Sequence, residues 1–144
     1  MMNPTLQKFG YPATLIREYE HWVVLLRPVQ VTLGAVIIAA KSDVTSFGAL
    51  GPEEMAEWPG IVRTFETALV KHFGAEKFNY LALMMVDPNP HFHGIPRYRG
   101  TVDFQGRSFT DEKFPKPPVL DVVNECPPET LAALRDHLHA AFAY

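Results

Sequence analysis

The chain has 144 residues, 47% of them hydrophobic and 20% charged. That balance excludes a disordered chain, and the length suits one domain whose core needs no staples. A formal net charge of −3 excludes an electrostatic footprint for long nucleic acid, though not local donors for a small anion.

A single cysteine, Cys126, rules out an intramolecular disulfide and fits a reducing compartment, so the cytoplasm is expected. Lying in a proline-rich loop between Glu125 and Pro127, it reads as an unreactive thiol rather than a nucleophile. The opening "MMNPTLQKFG" has no basic start with an apolar core behind it, so no signal peptide is expected. The longest apolar run, "VTLGAVIIAA", is too short to span a bilayer.

In chain order, "HWVVLLRP" (residues 21–28) reads as a strand. "VTLGAVIIAAKS" (31–42) reads as a second, antiparallel to the first across a short loop. Its nearly continuous apolar run predicts a central strand covered on both faces, and Gly34 predicts a bulge or a close approach. A helix should open at Pro52 with Glu53 and Glu54 in its first turn, and end at Gly74. Ile61, Phe65, Leu69 and Phe73 form its apolar stripe, while Pro59-Gly60 predicts a kink or a break. "FNYLALMMV" (78–86) reads as a third long strand, with Met84 and Met85 as core. "HFHGIPRY" reads as a fourth, which Pro96 should end or limit on one side. Residues 99–129 are loop-like with one short strand at most, a length that points to a functional or partner-contacting segment. "ETLAALRDHLHAAF" closes as a helix with Leu131, Leu134 and Leu138 on one face. The expected class is α+β: a mainly antiparallel sheet with one long helix and a C-terminal helix.

The chemistry concentrates in "DPNPHFHGIPRY". His91 and His93 stand at i and i+2, so on a strand they share a face, with Cα atoms about 6.6 Å apart. They are expected to be partly exposed. Such a pair can hold one anionic group between two donors, or one imidazole can attack while the other steadies the charge. Imidazole attacks phosphorus well when one nitrogen is free and an acceptor holds the other as N–H. The spacing alone is equally open to two solvated histidines, or to half of a metal site that would need further ligands.

The wider string "HFHGIPRY" resembles the histidine triad (HIT) family of nucleotide hydrolases and transferases. Members read His-x-His-x-His, then two apolar residues, very often then Pro-Arg. Pro96-Arg97 sets the register, so the third triad histidine falls on His93, the middle one on His91 and the first on Asn89. "LGAVIIAAK", "GPEEMAE" and "FNYLALMMVDP" are similar to the family's glycine-led strand, helix start and pre-motif strand, so the likeness spans residues 19–99.

The resemblance implies one HIT-like domain over residues 1–144. It implies that His91 attacks the α-phosphate of a nucleotide and forms a nucleotidyl-histidine. His93 would hydrogen-bond a phosphate oxygen, and neighbouring main-chain carbonyls would hold the His91 tautomer. Dinucleoside polyphosphates or nucleoside phosphoramidates are the substrate classes implied. Asn79, where many members carry asparagine, together with Asp87 and Arg97, would contribute to substrate binding. No metal, no other cofactor, no long nucleic acid and no membrane is implied, and the expected partner is a second copy in a homodimer.

Two positions depart from the pattern. Asn89 can hydrogen-bond but cannot be protonated at neutral pH, so charge assistance is lost there. Arg27 lies where many members have an Asp or Asn for the ribose hydroxyls; arginine accepts no hydrogen bond and could reach a phosphate instead. The alternative function is therefore a nucleotide-binding or sensing protein with little turnover. "NPHFHG" also resembles the "NPHPHG" of galactose-1-phosphate uridylyltransferases, a register that would make His93 the nucleophile; the chain's length and "IPR" favour the first register. Among the remaining candidates, Trp22 reads as core or as the floor of a base pocket. His21, His72, His137 and His139 read as solvated, and Arg99 as exposed or as a phosphate contact.

Overall fold

The structure, a computed structural model, describes residues 3–143. In chain order these form α1 (Pro4–Lys8), β1 (Leu15–Glu18), β2 (Trp22–Leu26), β3 (Val36–Ala40), α2 (Pro52–Phe73), β4 (Lys77–Leu81), β5 (His91–Arg97), β6 (Val102–Phe104), β7 (Arg107–Phe109) and α3 (Pro128–Ala141). Five strands make one sheet in the order β1-β2-β3-β5-β4, with every neighbouring pair antiparallel. β6 and β7 form a separate hairpin.

The period-two alternation of strands sorts the apolar side chains into two layers. Trp22, Val24 and Leu26 of β2 and Val36, Ile38 and Ala40 of β3 pack with Ile61, Phe65 and Leu69 of α2 and Leu134 and Leu138 of α3. Val23, Leu25, Ile37 and Ala39 face the other way and are covered by Leu6, Phe9 and Tyr11 from the N-terminal segment. Both faces of β2 and β3 are thus buried, which is why their sequences are continuously apolar. The α+β class, the antiparallel sheet and the two expected helices are all present.

Helix α2 begins at Pro52, and the Glu54 carboxylate accepts the Gly51 N–H at 2.8 Å. It ends on Gly74 at φ +72°, the left-handed conformation that favours glycine. Of the kink or break expected at Pro59-Gly60, the break does not occur, for the helix runs through all of its 22 residues. Both residues are exposed, so water can serve the Met55 carbonyl that the missing Pro59 N–H leaves free.

The third strand is shorter than predicted. β4 stops at Leu81, opposite His93 of β5. The chain leaves the sheet there, Met84 adopts φ +37°, and Met85 and Val86 are 85% and 81% exposed. Met85 is therefore not core. Pro96 limits β5 on one side, as expected: pairing with β3 ends at Gly94, whereas pairing with β4 continues to Arg97. The second strand is also trimmed, to Val36–Ala40. Gly34 lies before it at φ +86°, where an added Cβ would clash with Leu69 Cδ1. Strand β1, helix α1 and the second strand of the β6–β7 hairpin were not foreseen. Among the described residues no helix is long and apolar enough to cross a membrane.

Candidate active site

His91 and His93 project together from β5 toward the layer covered by the N-terminal segment, with Ala39 and Ile37 as their β3 partners. Their rings lie 5.3 Å apart. The Phe9 ring sits against both, at 5.6 Å from His91 and 6.0 Å from His93. Contrary to expectation the pair is buried, with only 2% and 7% of each residue exposed, because α1 and Phe9 cover that face.

The partners of each ring decide its tautomer. His91 Nδ1 lies 2.8 Å from the Asn89 carbonyl oxygen, which can only accept. His91 therefore carries its proton on Nδ1, and its Nε2 keeps a free lone pair. His93 is the reverse: Arg27 Nε lies 3.4 Å from its Nδ1 and can only donate, so the neutral His93 carries its proton on Nε2. Burial first, then the Arg27 guanidinium and His91, push the His93 pKa down to about 4. One ring thus presents a free ring nitrogen and the other an N–H.

Asn89 is 2% exposed and hydrogen-bonded at every polar group. Its Oδ1 accepts from Thr5 Oγ1 at 3.0 Å, and its amide N–H donates to that same hydroxyl at 3.2 Å. Its Nδ2 donates to the Val44 and Asp43 carbonyls at 3.0 and 3.3 Å. Arg27 also donates from Nη1 to the Val29 carbonyl at 2.7 Å and from Nη2 to the Leu120 carbonyl at 3.4 Å. Burial lowers its pKa.

The other predicted binding residues are brought to a different place. Arg97 is buried and pairs with Asp111 (Nε to Oδ2 2.7 Å, Nη2 to Oδ1 3.1 Å), while donating to Asn79 Oδ1 and the Lys116 carbonyl, each at 2.7 Å. Asn79 and Arg97 thus join the segment after the hairpin to the sheet. Asp87 lies 4.0 Å from Lys8 of α1. Trp22 is core, its Nε1 donating to the Glu54 carbonyl at 2.7 Å. His137 and His72 are not simply solvated, since their ring nitrogens lie 3.0 Å apart, and His139 Nδ1 lies 2.8 Å from the Ile16 carbonyl oxygen. Arg99 is on the surface, 3.2 Å from Glu76. Burial pushes the Cys126 thiol pKa up, opposite to the shift an attacking thiolate needs. Among the described residues no three His, Cys, Asp or Glu side chains are grouped to hold a metal ion.

Sequence reading missed Thr5, Phe9 and Asp111. Asp111 lies in a segment without periodicity. "NPT" at the N-terminus does carry a helix-start signal: Asn3 Oδ1 caps α1 through the Leu6 N–H at 3.0 Å, with Pro4 at the first position.

No family model matches the chain, and a search of curated proteins finds no match. Solved structures do match. A histidine triad protein from Bradyrhizobium japonicum superposes with a TM-score of 0.72 at 16% identity, over 99% of this chain and 97% of that one. A hypothetical histidine triad nucleotide-binding protein from Sulfolobus tokodaii gives 0.69 at 16% identity, over 96% and 89%. A histidine triad protein from Sinorhizobium meliloti gives 0.68 at 23% identity, over 94% of both chains. The antiparallel sheet with its helices thus has a known architecture: this chain has the histidine triad fold.

Proposed function

We propose that the protein is a histidine triad type nucleotide hydrolase of a single domain, with His91 as nucleophile. The observation that carries this reading is the pair of opposite tautomers: the Asn89 carbonyl leaves His91 Nε2 with a free lone pair, while Arg27 leaves His93 Nε2 as a donor. His91 Nε2 forms a bond to the α-phosphorus of a dinucleoside polyphosphate or nucleoside phosphoramidate, and the P–O or P–N bond to the leaving group breaks. Water then attacks the same phosphorus, the N–P bond breaks, and His91 is regenerated with release of a nucleoside monophosphate. Throughout, His93 donates to a phosphate oxygen; being neutral, it stabilises developing charge by a hydrogen bond rather than by a full positive charge. Arg27 contacts His93 Nδ1 and supports the phosphate through His93.

A second reading is favoured by the burial of the pair beneath Phe9: a nucleotide-binding protein that senses its ligand with little turnover. We further propose a cytoplasmic homodimer that pairs through α2 and the sheet edge. β4 is an edge strand, and beside it Val70 of α2 leaves 51% of its surface open.

The deciding experiment is a screen of purified protein against adenosine phosphoramidates and dinucleoside polyphosphates, with His91→Ala as control. Turnover lost in His91→Ala supports the hydrolase. Nucleotide binding without turnover supports the sensor, and no binding of adenosine or guanosine monophosphate at millimolar concentration sinks both.

A further inference from the structure

Asn89 stands where the triad resemblance puts a histidine, yet its bonds describe a hub rather than a gap. Its amide and carboxamide are held by Thr5, Asp43 and Val44, and Pro90 behind it restricts it to extended backbone. The one polar group left is its main-chain carbonyl, which faces His91 Nδ1 at 2.8 Å. The orientation of that carbonyl, and with it the His91 tautomer, is therefore set by what holds Asn89.

The principal holder from afar is Thr5, 84 positions away in the chain and fully buried. Its hydroxyl serves two bonds to one residue, donating to Oδ1 and accepting from the amide N–H. The helix that carries it is itself clamped, since Asn3 Nδ2 donates to the Ala40 and Ser42 carbonyls, both at 2.9 Å. The same helix leads into Phe9, which restricts both imidazole rings. A neutral histidine at position 89 could not reproduce this hub. It offers one donor and one acceptor, whereas the carboxamide uses two donors and one acceptor here.

We propose that Thr5 is a positioning residue for His91, acting through Asn89, and that Asn89 is the adapted partner of the N-terminal helix rather than a weakened triad position. The kinetic consequence rests on the nucleotidyl-transfer reading; the consequence for the His91 tautomer does not.

The test compares Thr5→Val, which keeps the shape and removes the hydroxyl, with Thr5→Ser, which keeps the hydroxyl. Nitrogen-15 NMR of the labelled histidines reads the His91 tautomer, and turnover of an adenosine phosphoramidate is measured beside binding of adenosine monophosphate. In the wild type and Thr5→Ser, His91 should hold its proton on Nδ1. In Thr5→Val it should become a mixture, with kcat lowered roughly 10- to 100-fold, the range seen when a group orienting a functional histidine is removed. Monophosphate binding should change little. If Thr5→Val does not fold, Thr5→Ala, which leaves room for a water, is read the same way. A tautomer unchanged in the hydroxyl-free variant overturns the proposal, as does failure of Thr5→Ser to behave as wild type. So does an Asn89→His variant that turns over faster than wild type. If no form of the protein turns over any nucleotide, a tautomer shift restored by serine still supports the positioning role, and only the hydrolase reading falls.

Discussion

Two side chains one residue apart, in nearly the same packing, are given different chemistry by what touches their Nδ1 atoms. His91→Ala should abolish any nucleotidyl-enzyme, read as loss of a trapped phosphoramidate by mass spectrometry. Because His91 is buried, the substitution also strands the Asn89 carbonyl, so melting should report a loss of about 1–3 kcal/mol. His93→Ala should leave the intermediate forming but slow it on the order of 10²–10³, the cost of one lost oxyanion donor. A trapped intermediate on His93 that survives His91→Ala would reverse the assignment. His93 also predicts a pH dependence. In the unfolded chain it takes up a proton near its ordinary value of 6.5, whereas in the folded protein it does so only near about 4. Between these values the unfolded state binds more protons, so stability falls as pH drops from 6.5 to about 4, by at most about 3 kcal/mol. Urea midpoints across that window should slope in the wild type and flatten in His93→Gln; equal slopes would remove the basis for a neutral His93.

At the scale of elements, two joints hold the sheet to what surrounds it. Gly34 precedes β3 at φ +86° with Leu69 of α2 lying where a Cβ would go, so Gly34→Ala meets both backbone strain and a clash and should cost about 2–4 kcal/mol. Gly74 shares the positive φ but has nothing within 4 Å, so Gly74→Ala should cost only about 1–2 kcal/mol. Urea denaturation of the two variants separates strain from crowding, and equal losses would mean that the α2–β3 contact is looser than described. The second joint is the buried Arg97–Asp111 pair, which ties the segment after the hairpin to β5. Asp111→Ala leaves the guanidinium buried without its counter-charge, and thermal unfolding should reveal a loss of about 3–5 kcal/mol. A loss within the ordinary range of exposed pairs, about 0–1 kcal/mol, would contradict the burial.

At the scale of the whole molecule, α2 and α3 close one face of the sheet and the N-terminal segment closes the other over the histidines. The proposed homodimer would pair over the β4 edge and the Val70 side of α2. Sedimentation at micromolar concentration should find a dimer of the 16.2 kDa chain, and Val70→Glu should shift it toward monomer. A clean monomer in the wild type would refute the pairing.

Much was determined by local sequence. The apolar periodicity of β2, β3 and α2, the Pro52 and Gly74 helix boundaries, and the shared face of His91 and His93 all follow from patterns within a few residues. The Pro96-Arg97 register alone sets His91 in the middle position of the triad pattern that the sequence resembles. What local pattern could not carry were the contacts across long separations. "FNYLALMMV" is apolar but for Asn79, and nothing in that local pattern marks Leu81 as the end of β4. Arg97 and Asn79 sit beside the motif, yet the carboxylate that pairs with the guanidinium comes from 14 residues further on. Asn89 reads as a lost histidine until Thr5, 84 residues earlier, is brought against it. Which nitrogen of His93 holds the proton depends on Arg27 from another strand's end, 66 residues away. A hydrogen bond is set by position in space, so these residues' roles were decided only when the sheet closed.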